Sequence, residues 1–338
     1  MIDLLVGGGG PAGLATALYG ARAGLEVTVI ERRDGTIDKA CGEGMMPHTL
    51  EHLHLLGITP TGMVIKGIRY LDGHRQVEAR FRAGPGLGVR RTVLHATLRA
   101  AAEEAGVQFV HDDVGTVVQD ATSVGAAGLR ARYLAAADGL HSPIRRALGL
   151  ERPSPGPRRW GIRRHVQIAP WSDSVEVHWA PGGEAYVTPV AEDCVGVAIL
   201  SSRRGGFGDH LDDFPALRAR VSGFDHGPDR AAGPLRQTAH SRTAGRVMLV
   251  GDAAGYVDAL TGEGMGLAFG AARHLVECVR ADRPGDYDRR WRRSTRRYRM
   301  LTAALVRAGV HAEVRTRIVP AAAALPGVFA AAVHQLAY

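Results

Sequence analysis

Three glycines near the start of the chain have a spacing that suits phosphate binding. The motif G-x-G-x-x-G is formed here by Gly8, Gly10, Pro11, Ala12 and Gly13. The first glycine allows a tight turn, the second lets a pyrophosphate approach the backbone, and the third lets a helix pack closely on a strand. An apolar run at residues 2–6 predicts the strand, and an alanine- and leucine-rich run at residues 14–23 predicts the helix. The sequence therefore predicts a bound dinucleotide.

An acid follows at the distance that this motif requires. Glu31 lies at the end of the next predicted strand, residues 27–30, where a carboxylate hydrogen-bonds a ribose 2′-hydroxyl. This position favours FAD or NAD over NADP, although Arg32 and Arg33, directly after it, weaken the exclusion of NADP. The alternative is a glycine turn without a ligand, and the spacing to Glu31 argues against it.

A second glycine-rich loop, Cys41-Gly42-Glu43-Gly44, precedes a helix predicted over residues 47–56. Such a flexible backbone can lie against a flat ligand. Cys41 is either a small buried apolar residue or a residue beside a redox-active ring, and both interpretations remain open. Cys41 and Glu43 are the candidate catalytic residues. Glu43 would donate a proton only if burial raised the pKa of its carboxyl.

Two further predicted strands end in a glycine next to an acid. One strand leads into Asp138-Gly139, and a later one leads into Gly251-Asp252. Open α/β sheets bind ligands at the C-terminal ends of their strands. Asp252 is therefore predicted to accept a hydrogen bond from a ribityl hydroxyl.

The loop after Asp252 reaches a predicted helix through Gly262, Gly264 and Met265. Free amides at such a helix start can face a phosphate or the pyrimidine end of a flavin. The alternative, an ordinary strand–loop–helix crossover, leaves the run of glycines unexplained.

Arg91 precedes a helix predicted over residues 92–105. The helix dipole favours an acid at that end, so we infer a phosphate or flavin partner for this arginine. Val114, in a strand predicted over residues 114–118, completes the predicted cofactor contacts.

The remaining patterns predict a second, largely antiparallel sheet. Asp72-Gly73 between alternating apolar and polar residues predicts a hairpin over residues 68–81. Further strands are predicted at residues 161–168, 174–179, 184–189 and 194–200. Helices are predicted over residues 209–222 and 287–312. Four aromatic residues either line an apolar pocket or belong to the core: Trp160, Trp179, Tyr186 and Phe207.

Composition narrows the class of protein. The 338 residues suffice for about two domains. The net charge of +8 comes from scattered arginines without a nucleic-acid motif, so no nucleic-acid partner is expected. No apolar run of about 18 residues predicts a membrane-spanning helix, and the chain opens on its first strand, so no signal peptide is expected. Three separated cysteines favour a reducing, cytoplasmic location and no structural metal.

The C-terminal region leaves two alternatives. Its arginine-rich helix, residues 287–312, and the apolar residues 318–338 suit either a solvated helix with a capping tail or a peripheral membrane contact. The sequence makes no prediction of the oligomeric state.

In combination, the motifs resemble the FAD-binding set of the para-hydroxybenzoate-hydroxylase-type flavoproteins. Arg91-x-x-Leu94 resembles a further flavin-contacting arginine of that superfamily. The resemblance implies an α/β fold: a glutathione-reductase-like Rossmann FAD domain, discontinuous in sequence, with a second antiparallel-sheet substrate domain. The FAD domain is predicted at residues 1–65, 88–150 and 235–285, the substrate domain at 66–87 and 151–234, and a C-terminal helical region at 286–338.

Two details are similar to the geranylgeranyl-reductase-like branch: the Cys41–Gly44 loop, and Gly255 with Thr261-Gly262-Glu263-Gly264. The chain lacks the histidine that aromatic hydroxylases carry where Gly255 stands, and it lacks the W-x-W-x-I-P motif of flavin-dependent halogenases. It also departs from the reductases, because no proline lies between Gly255 and Thr261.

The resemblance implies an FAD-dependent oxidoreductase that uses NADH or NADPH as reductant. The first hypothesis is a flavin monooxygenase acting on an apolar aromatic, polyketide or lipid-like substrate, since this activity is the commonest in the superfamily. The alternative, which the motif details favour, is a reductase that saturates isoprenoid alkenes. A third hypothesis is an FAD-binding protein without redox turnover.

Overall fold

The computed structural model describes residues 1–309 and 311–336. The strands are β1 (Ile2–Gly7), β2 (Val27–Ile30), β3 (Gly44–Met45), β4 (Met63–Ile65), β5 (Gly67–Leu71), β6 (Gln76–Arg80), β7 (Gly86–Gly88), β8 (Gln108–Val110), β9 (Val118–Gln119), β10 (Val124–Ala126), β11 (Leu129–Ala136), β12 (Glu151–Arg152), β13 (Trp160–Val166), β14 (Ser174–Ala180), β15 (Gly183–Ala191), β16 (Cys194–Ser201), β17 (Arg230–Ala232), β18 (Thr238–Ala239), β19 (Thr243–Ala244) and β20 (Val247–Leu249). The helices are α1 (Pro11–Arg22), α2 (Pro47–Leu55), α3 (Arg91–Glu104), α4 (Pro143–Ala147), α5 (Phe207–Leu211), α6 (Pro215–Val221), α7 (Gly264–Arg280), α8 (Asp286–Gly309), α9 (Ala312–Ala324) and α10 (Pro326–Leu336), with a 3₁₀ turn at Gly251–Ala254.

The first sheet has a parallel centre in the order β20-β11-β1-β2-β8. Its strands read as apolar runs because both of their faces are covered, as Leu4, Leu5 and Val6 in β1 illustrate: none of the three is exposed. Helices α1, α3 and α7 pack on one another beside this sheet. The carboxyl ends of β1, β11 and β20 therefore meet at one edge, and each of the three glycine motifs begins there.

The second sheet has the order β17-β13-β16-β15-β14-β5-β6. The predicted hairpin at residues 68–81 is confirmed as β5 and β6, and the four predicted later strands are confirmed as β13 to β16. The sheet is antiparallel with one exception, because β14 pairs with β5 in parallel. The hairpin thus joins a sheet whose other strands come much later in the chain. The result is a mixed α/β fold with several sheets.

Two element predictions are wrong. Residues 114–117 form no strand, because Gly115 turns the backbone into the left-handed region at φ +61°, and pairing starts only at Val118. The helix predicted over residues 209–222 is two short helices, α5 and α6. Pro215 begins the second of them, since proline has no amide hydrogen to continue the first.

The C-terminal helices cover part of the second sheet. Helices α9 and α10 pack over β6 and β14, above an apolar cluster that includes Tyr70, Trp179 and Phe329. No single helix in the described part of the chain combines the length and apolarity needed to cross a membrane. Helices α9 and α10 meet that test only as a pair, across a bend of 106°.

Candidate functional site

The first glycine motif leaves one glycine facing open space. Gly8 has φ +113°, and a Cβ on it would lie 2.6 Å from the carbonyl oxygen of Ala137. A Cβ on Gly13 would lie 1.9 Å from the carbonyl oxygen of Gly8. A Cβ on Gly10 would meet nothing within 4 Å. Gly8 and Gly13 are therefore required by packing, whereas Gly10, directly before Pro11 at the start of α1, leaves the approach that a pyrophosphate needs.

Glu31 lies at the end of β2, beside this turn. Its Oε2 accepts a hydrogen bond from the Gly9 amide at 2.8 Å, and its Oε1 accepts one from Arg33 Nε at 2.8 Å. Burial alone would raise the pKa of Glu31, but the hydrogen bonds from Arg33 and Gly9 outweigh it and lower the pKa to about 2. The carboxylate is ionised, and a ribose hydroxyl would bind it by displacing part of the Arg33 side chain.

His95 on α3 was not predicted, yet it holds the same turn. The Ile37 amide faces its Nδ1 at 3.4 Å, so the proton lies on Nε2, which donates to the Gly9 carbonyl at 3.0 Å. The only sequence signal for this role was its position one helical turn after Arg91.

A cleft borders the third glycine motif, where its lining includes Asp252, Tyr256 and Gly264. Cys41, Asp252 and Tyr256 are all accessible to solvent, yet the surrounding protein raises the pKa of each by keeping water away. The charge of Arg91 opposes that rise for both Cys41 and Asp252. Arg91 Nε is buried and has no hydrogen-bond partner among the described residues. An accessible thiol, an acid and a guanidinium nitrogen without a partner, whose charges act on one another, fit a polar planar ligand such as the flavin of FAD.

Lys39 is a second cation beside this cleft that was not predicted. Burial, followed by the charges of Arg33 and Arg91, lowers its pKa, while Asp252 opposes the change. Its ammonium also lies 3.4 Å from the place where a Cβ on Gly139 would stand. Lys39 therefore adds positive charge on the side where the phosphates of a dinucleotide would lie.

The Asp138-Gly139 motif and the Gly251-Asp252 motif are linked by the hydrogen bonds of a buried arginine. Arg145, on α4, is completely buried and donates to the carbonyl oxygens of Ala253 at 3.0 Å and of Leu140 at 3.1 Å. Asp138 accepts from the Ile144 amide at 3.0 Å through Oδ2, while its Oδ1 is buried without a partner among the described residues.

The third motif also touches the first. A Cβ on Gly251 would lie 2.6 Å from the Ala12 Cβ, so this glycine permits the contact between the two motifs. Gly262 has φ +71°, and α7 starts at Gly264, with Met265 packed against the core. The structure therefore brings the predicted glycine turns to one edge of the sheet.

The Cys41–Gly44 loop is fixed by a buried network that crosses to the second sheet. Glu43 is 1% exposed and has φ +60°. Its Oε1 accepts from the Arg91 amide at 2.7 Å, and its Oε2 lies 2.6 Å from His165 Nε2. Arg163 Nη1 faces His165 Nδ1 at 3.0 Å, so the proton lies on Nε2 and is donated to Glu43. Glu43 thus acts as an acceptor that fixes the loop, and its amide points at the Cys41 sulfur at 3.4 Å.

We expect Glu43→Gln to weaken the fold, because a side-chain amide would direct an N–H at the N–H of His165. Leaving a buried donor unsatisfied costs about 1–3 kcal/mol, and urea unfolding of the FAD-loaded protein measures the loss. Glu313→Gln, at an exposed acid, is the control. Equal stability of the two variants would contradict the assigned network.

Three other residues that the sequence predicts to contact the cofactor lie in different surroundings. Arg32 forms an exposed ion pair with Asp113. Val114 is no strand residue, but its side chain lies 3.1 Å from the Cβ position of Gly7, at the end of β1. The carbonyl of Gly42 accepts from Thr188 at 2.8 Å, which is a second link to the other sheet.

The four aromatic residues do not line one pocket. Trp179 and Tyr186 belong to the cluster beneath the C-terminal helices, whereas Phe207 lies in a separate cluster with α5 and α6. Trp160 lies beneath the guanidinium of Arg204, at 5.1 Å.

Comparison with known proteins shows similarity in sequence to two reductases and similarity in fold to a solved monooxygenase. A menaquinone reductase of Mycobacterium tuberculosis is 31% identical over 324 residues, covering 82% of this chain and 76% of that protein. A digeranylgeranylglycerophospholipid reductase of Methanopyrus kandleri is 29% identical over 299 residues, covering 78% and 73%. The solved p-nitrophenol 4-monooxygenase of Pseudomonas putida superposes with a TM-score of 0.82 at 20% identity, covering 98% and 94%, and shares the fold.

The sequence matches the family described as FAD binding domain over residues 1–205. This match covers the Gly8–Gly13 motif, Glu31, the Cys41–Gly44 loop, Arg91 and the Asp138-Gly139 motif. The resemblance seen in the motifs is thereby confirmed. The chain belongs to the FAD binding domain family of para-hydroxybenzoate-hydroxylase type and is an FAD-dependent oxidoreductase.

Proposed function

We propose that this protein is an FAD-dependent reductase that saturates carbon–carbon double bonds in the isoprenoid chain of a lipid or quinone, with NADH or NADPH as reductant. The observation that carries the proposal is that both curated relatives described above are named reductases and match most of the chain. Their names specify menaquinone and a digeranylgeranyl lipid, and both compounds carry isoprenoid chains. The monooxygenase hypothesis rests on likeness of fold, which supports function only weakly.

Each saturation adds a hydride equivalent to one alkene carbon and a proton to the other. Bound FAD, once reduced, supplies the two electrons as hydride. The chain's own residues would hold the cofactor: the amides around Gly10 would bind its pyrophosphate, and Arg91 and Asp252 would bind the polar part of the flavin. The proposal assigns the proton to Cys41, because its thiol is accessible and the surrounding protein raises its pKa by keeping water away, so that the thiol is protonated near neutral pH. The thiolate left behind would regain its proton from water. Glu43 serves as the positioning residue for the Cys41 loop.

The test uses FAD-loaded protein, reduced without oxygen and mixed with a geranylgeranyl lipid in detergent. We expect the product mass to rise by two hydrogens for each double bond saturated. Cys41→Ala is expected to slow saturation about 100-fold, within the range that general acid catalysis contributes, while reduction of the flavin by NADH or NADPH stays unchanged. Cys278→Ala, at a buried cysteine in the core, is the control.

Oxygen separates the two enzyme classes. The reduced protein mixed with ¹⁸O-labelled dioxygen and the same substrate should incorporate no label. A labelled hydroxylated product without saturation would overturn the reductase and establish a monooxygenase.

A further inference from the structure

Exposed apolar side chains concentrate at the C-terminal end of the chain. Of the eleven large apolar side chains that are exposed in the described residues, six lie between residues 300 and 328. We name these six the C-terminal apolar surface: Met300, Leu301, Leu305, Val314, Leu325 and Val328. Five of them lie on the consecutive helices α8, α9 and α10, each of which contacts the next, and Leu325 joins α9 to α10. A concentration of this kind marks an interaction site.

Positive charge that forms no close ion pair in the described residues lies directly beside this surface, although the charge of Arg297 also acts on buried Glu263. Arg293, Arg296 and Arg297 on α8 are exposed and form no ion pair among the described residues, unlike Arg290 and Arg292 earlier on the same helix. Residues four apart lie on one line of a helix, so Arg293 and Arg297 lead into Leu301 and Leu305. Beyond residue 288 the sequence contains a single acid, Glu313.

The inner side of the same helices faces the sheet. Helices α9 and α10 cover β6 and β14, and Phe329 of α10 packs against Tyr70 with 4.7 Å between ring centroids. Val306 of α8 and Leu260, which lies two residues before Gly262, belong to the same apolar cluster. One apolar layer therefore extends from the glycine loop of the cleft to the exposed helices.

We propose that the C-terminal apolar surface and its arginines dock on an anionic lipid bilayer, with the ends of α8, α9 and α10 lying in the interface. Apolar side chains would enter the boundary between headgroups and acyl chains, and the arginines would pair with lipid phosphates. A second copy of this chain fits less well, because a symmetric contact would bring the same unpaired arginines together. The inference rests on the proposed function only for the role of this docking, which is to deliver a lipid substrate to the flavin.

The test is co-sedimentation of the full-length, FAD-loaded protein with vesicles of phosphatidylcholine, with or without phosphatidylglycerol. We expect binding to the anionic vesicles and release by salt, since the attraction of the arginines is screened. The double variant Leu301→Ser/Leu305→Ser should bind at least tenfold more weakly. The triple variant Arg293→Gln/Arg296→Gln/Arg297→Gln should lose the preference for anionic vesicles.

The control is Leu55→Ser/Val118→Ser, at side chains that are 55% and 62% exposed but lie elsewhere on the surface. It should bind vesicles as well as the unaltered protein does. Equal losses in the two serine variants, or no binding by the unaltered protein, would overturn the proposal. So would a dimer in size-exclusion chromatography that the Leu301→Ser/Leu305→Ser variant alone dissociates, because the occupant would then be a second copy.

A second measurement separates this inference from the proposed function. Both serine variants should retain FAD and reduce a short, water-soluble isoprenoid at the rate of the unaltered protein. If the unaltered protein binds anionic vesicles but reduces no isoprenoid, the reductase fails and the membrane surface stands. If the isoprenoid is reduced but no vesicle is bound, the membrane surface fails and the reductase stands.

Discussion

Gly13→Ala is expected to destabilise the protein and abolish FAD binding, whereas Gly10→Ala should keep the fold and lose the cofactor. The Cβ at position 13 would lie 1.9 Å from the Gly8 carbonyl oxygen, which belongs to backbone that cannot move away without separating α1 from β1. Overpacking typically costs about 1–3 kcal/mol, and a clash with backbone should reach at least the upper value. At Gly10 the backbone has φ −71° and no atom lies within 4 Å, so alanine fits the cofactor-free protein.

Two measurements on each variant separate these effects. Urea unfolding of the cofactor-free protein should place Gly10→Ala within about 0.5 kcal/mol of the unaltered protein. Fluorescence titration with FAD should show at least a tenfold loss of affinity, because the added methyl group occupies the approach of the pyrophosphate. Gly208→Ala, also at a glycine with open space around it, should change neither quantity. Normal FAD affinity in Gly10→Ala would mean that the pyrophosphate does not approach this turn.

Glu263→Gln is expected to remove most of the fall in stability that the unaltered protein shows between about pH 5 and pH 8. Burial raises the pKa of Glu263 from 4.5 to about 8, against the opposing charge of Arg297. Between these two values the folded chain keeps a proton that the unfolded chain releases, so the free energy of unfolding falls as the pH rises. The slope approaches about 1.4 kcal/mol per pH unit. Near pH 8 the loss amounts to several kcal/mol relative to pH 5, on the order of 4.

Glutamine stays neutral throughout that range, so between about pH 5 and pH 8 the urea midpoint of the variant should fall much less than that of the unaltered protein. The pKa of Asp258, raised to about 6 by burial, accounts for part of the fall that remains. It should be more stable than the unaltered protein at the upper end. Glu313→Gln, at an exposed acid, should retain the original profile. Parallel profiles for Glu263→Gln and the unaltered protein would show that Glu263 ionises normally. Since Glu263 lies between Gly262 and Gly264, the FAD content measured along the same series reports whether its charge disturbs the flavin loop.

Local signals predicted the parts of the fold that depend on neighbouring residues. The strand–turn–helix unit at Gly8, the hairpin at Asp72-Gly73 and the helix that starts at Gly264 each carry their own spacing and turn chemistry, and each is present. The helix predicted over residues 209–222 is divided at Pro215, which cannot continue α5. The strand predicted over residues 114–118 is interrupted at Gly115, where the backbone turns into the left-handed region.

The missed parts of the site depend on contacts between distant segments. Glu43 and His165 are 122 residues apart, and nothing in either local sequence indicates that they would meet. His95 and Lys39 face the cleft only because α3 and the loop before Cys41 converge on the first glycine turn. A glycine motif specifies its own shape, whereas a buried hydrogen-bond network becomes visible only once the sheets are assembled.

The pairing of Leu134 with both Leu5 and Val247 also sets the order of events during synthesis. The middle strand of the first sheet has one neighbour from the beginning of the chain and another from its last third. A ribosome releases residues from the N-terminus onwards, so β11 must wait, with its edge at residues 134–136 unpaired, until β20 emerges. An exposed strand edge invites pairing with other chains. Flavin supplied during translation would bind only after the turn at Gly264 has been released and folded. The yield of flavin-loaded protein would then measure the fraction of chains that did not aggregate before β20 was added.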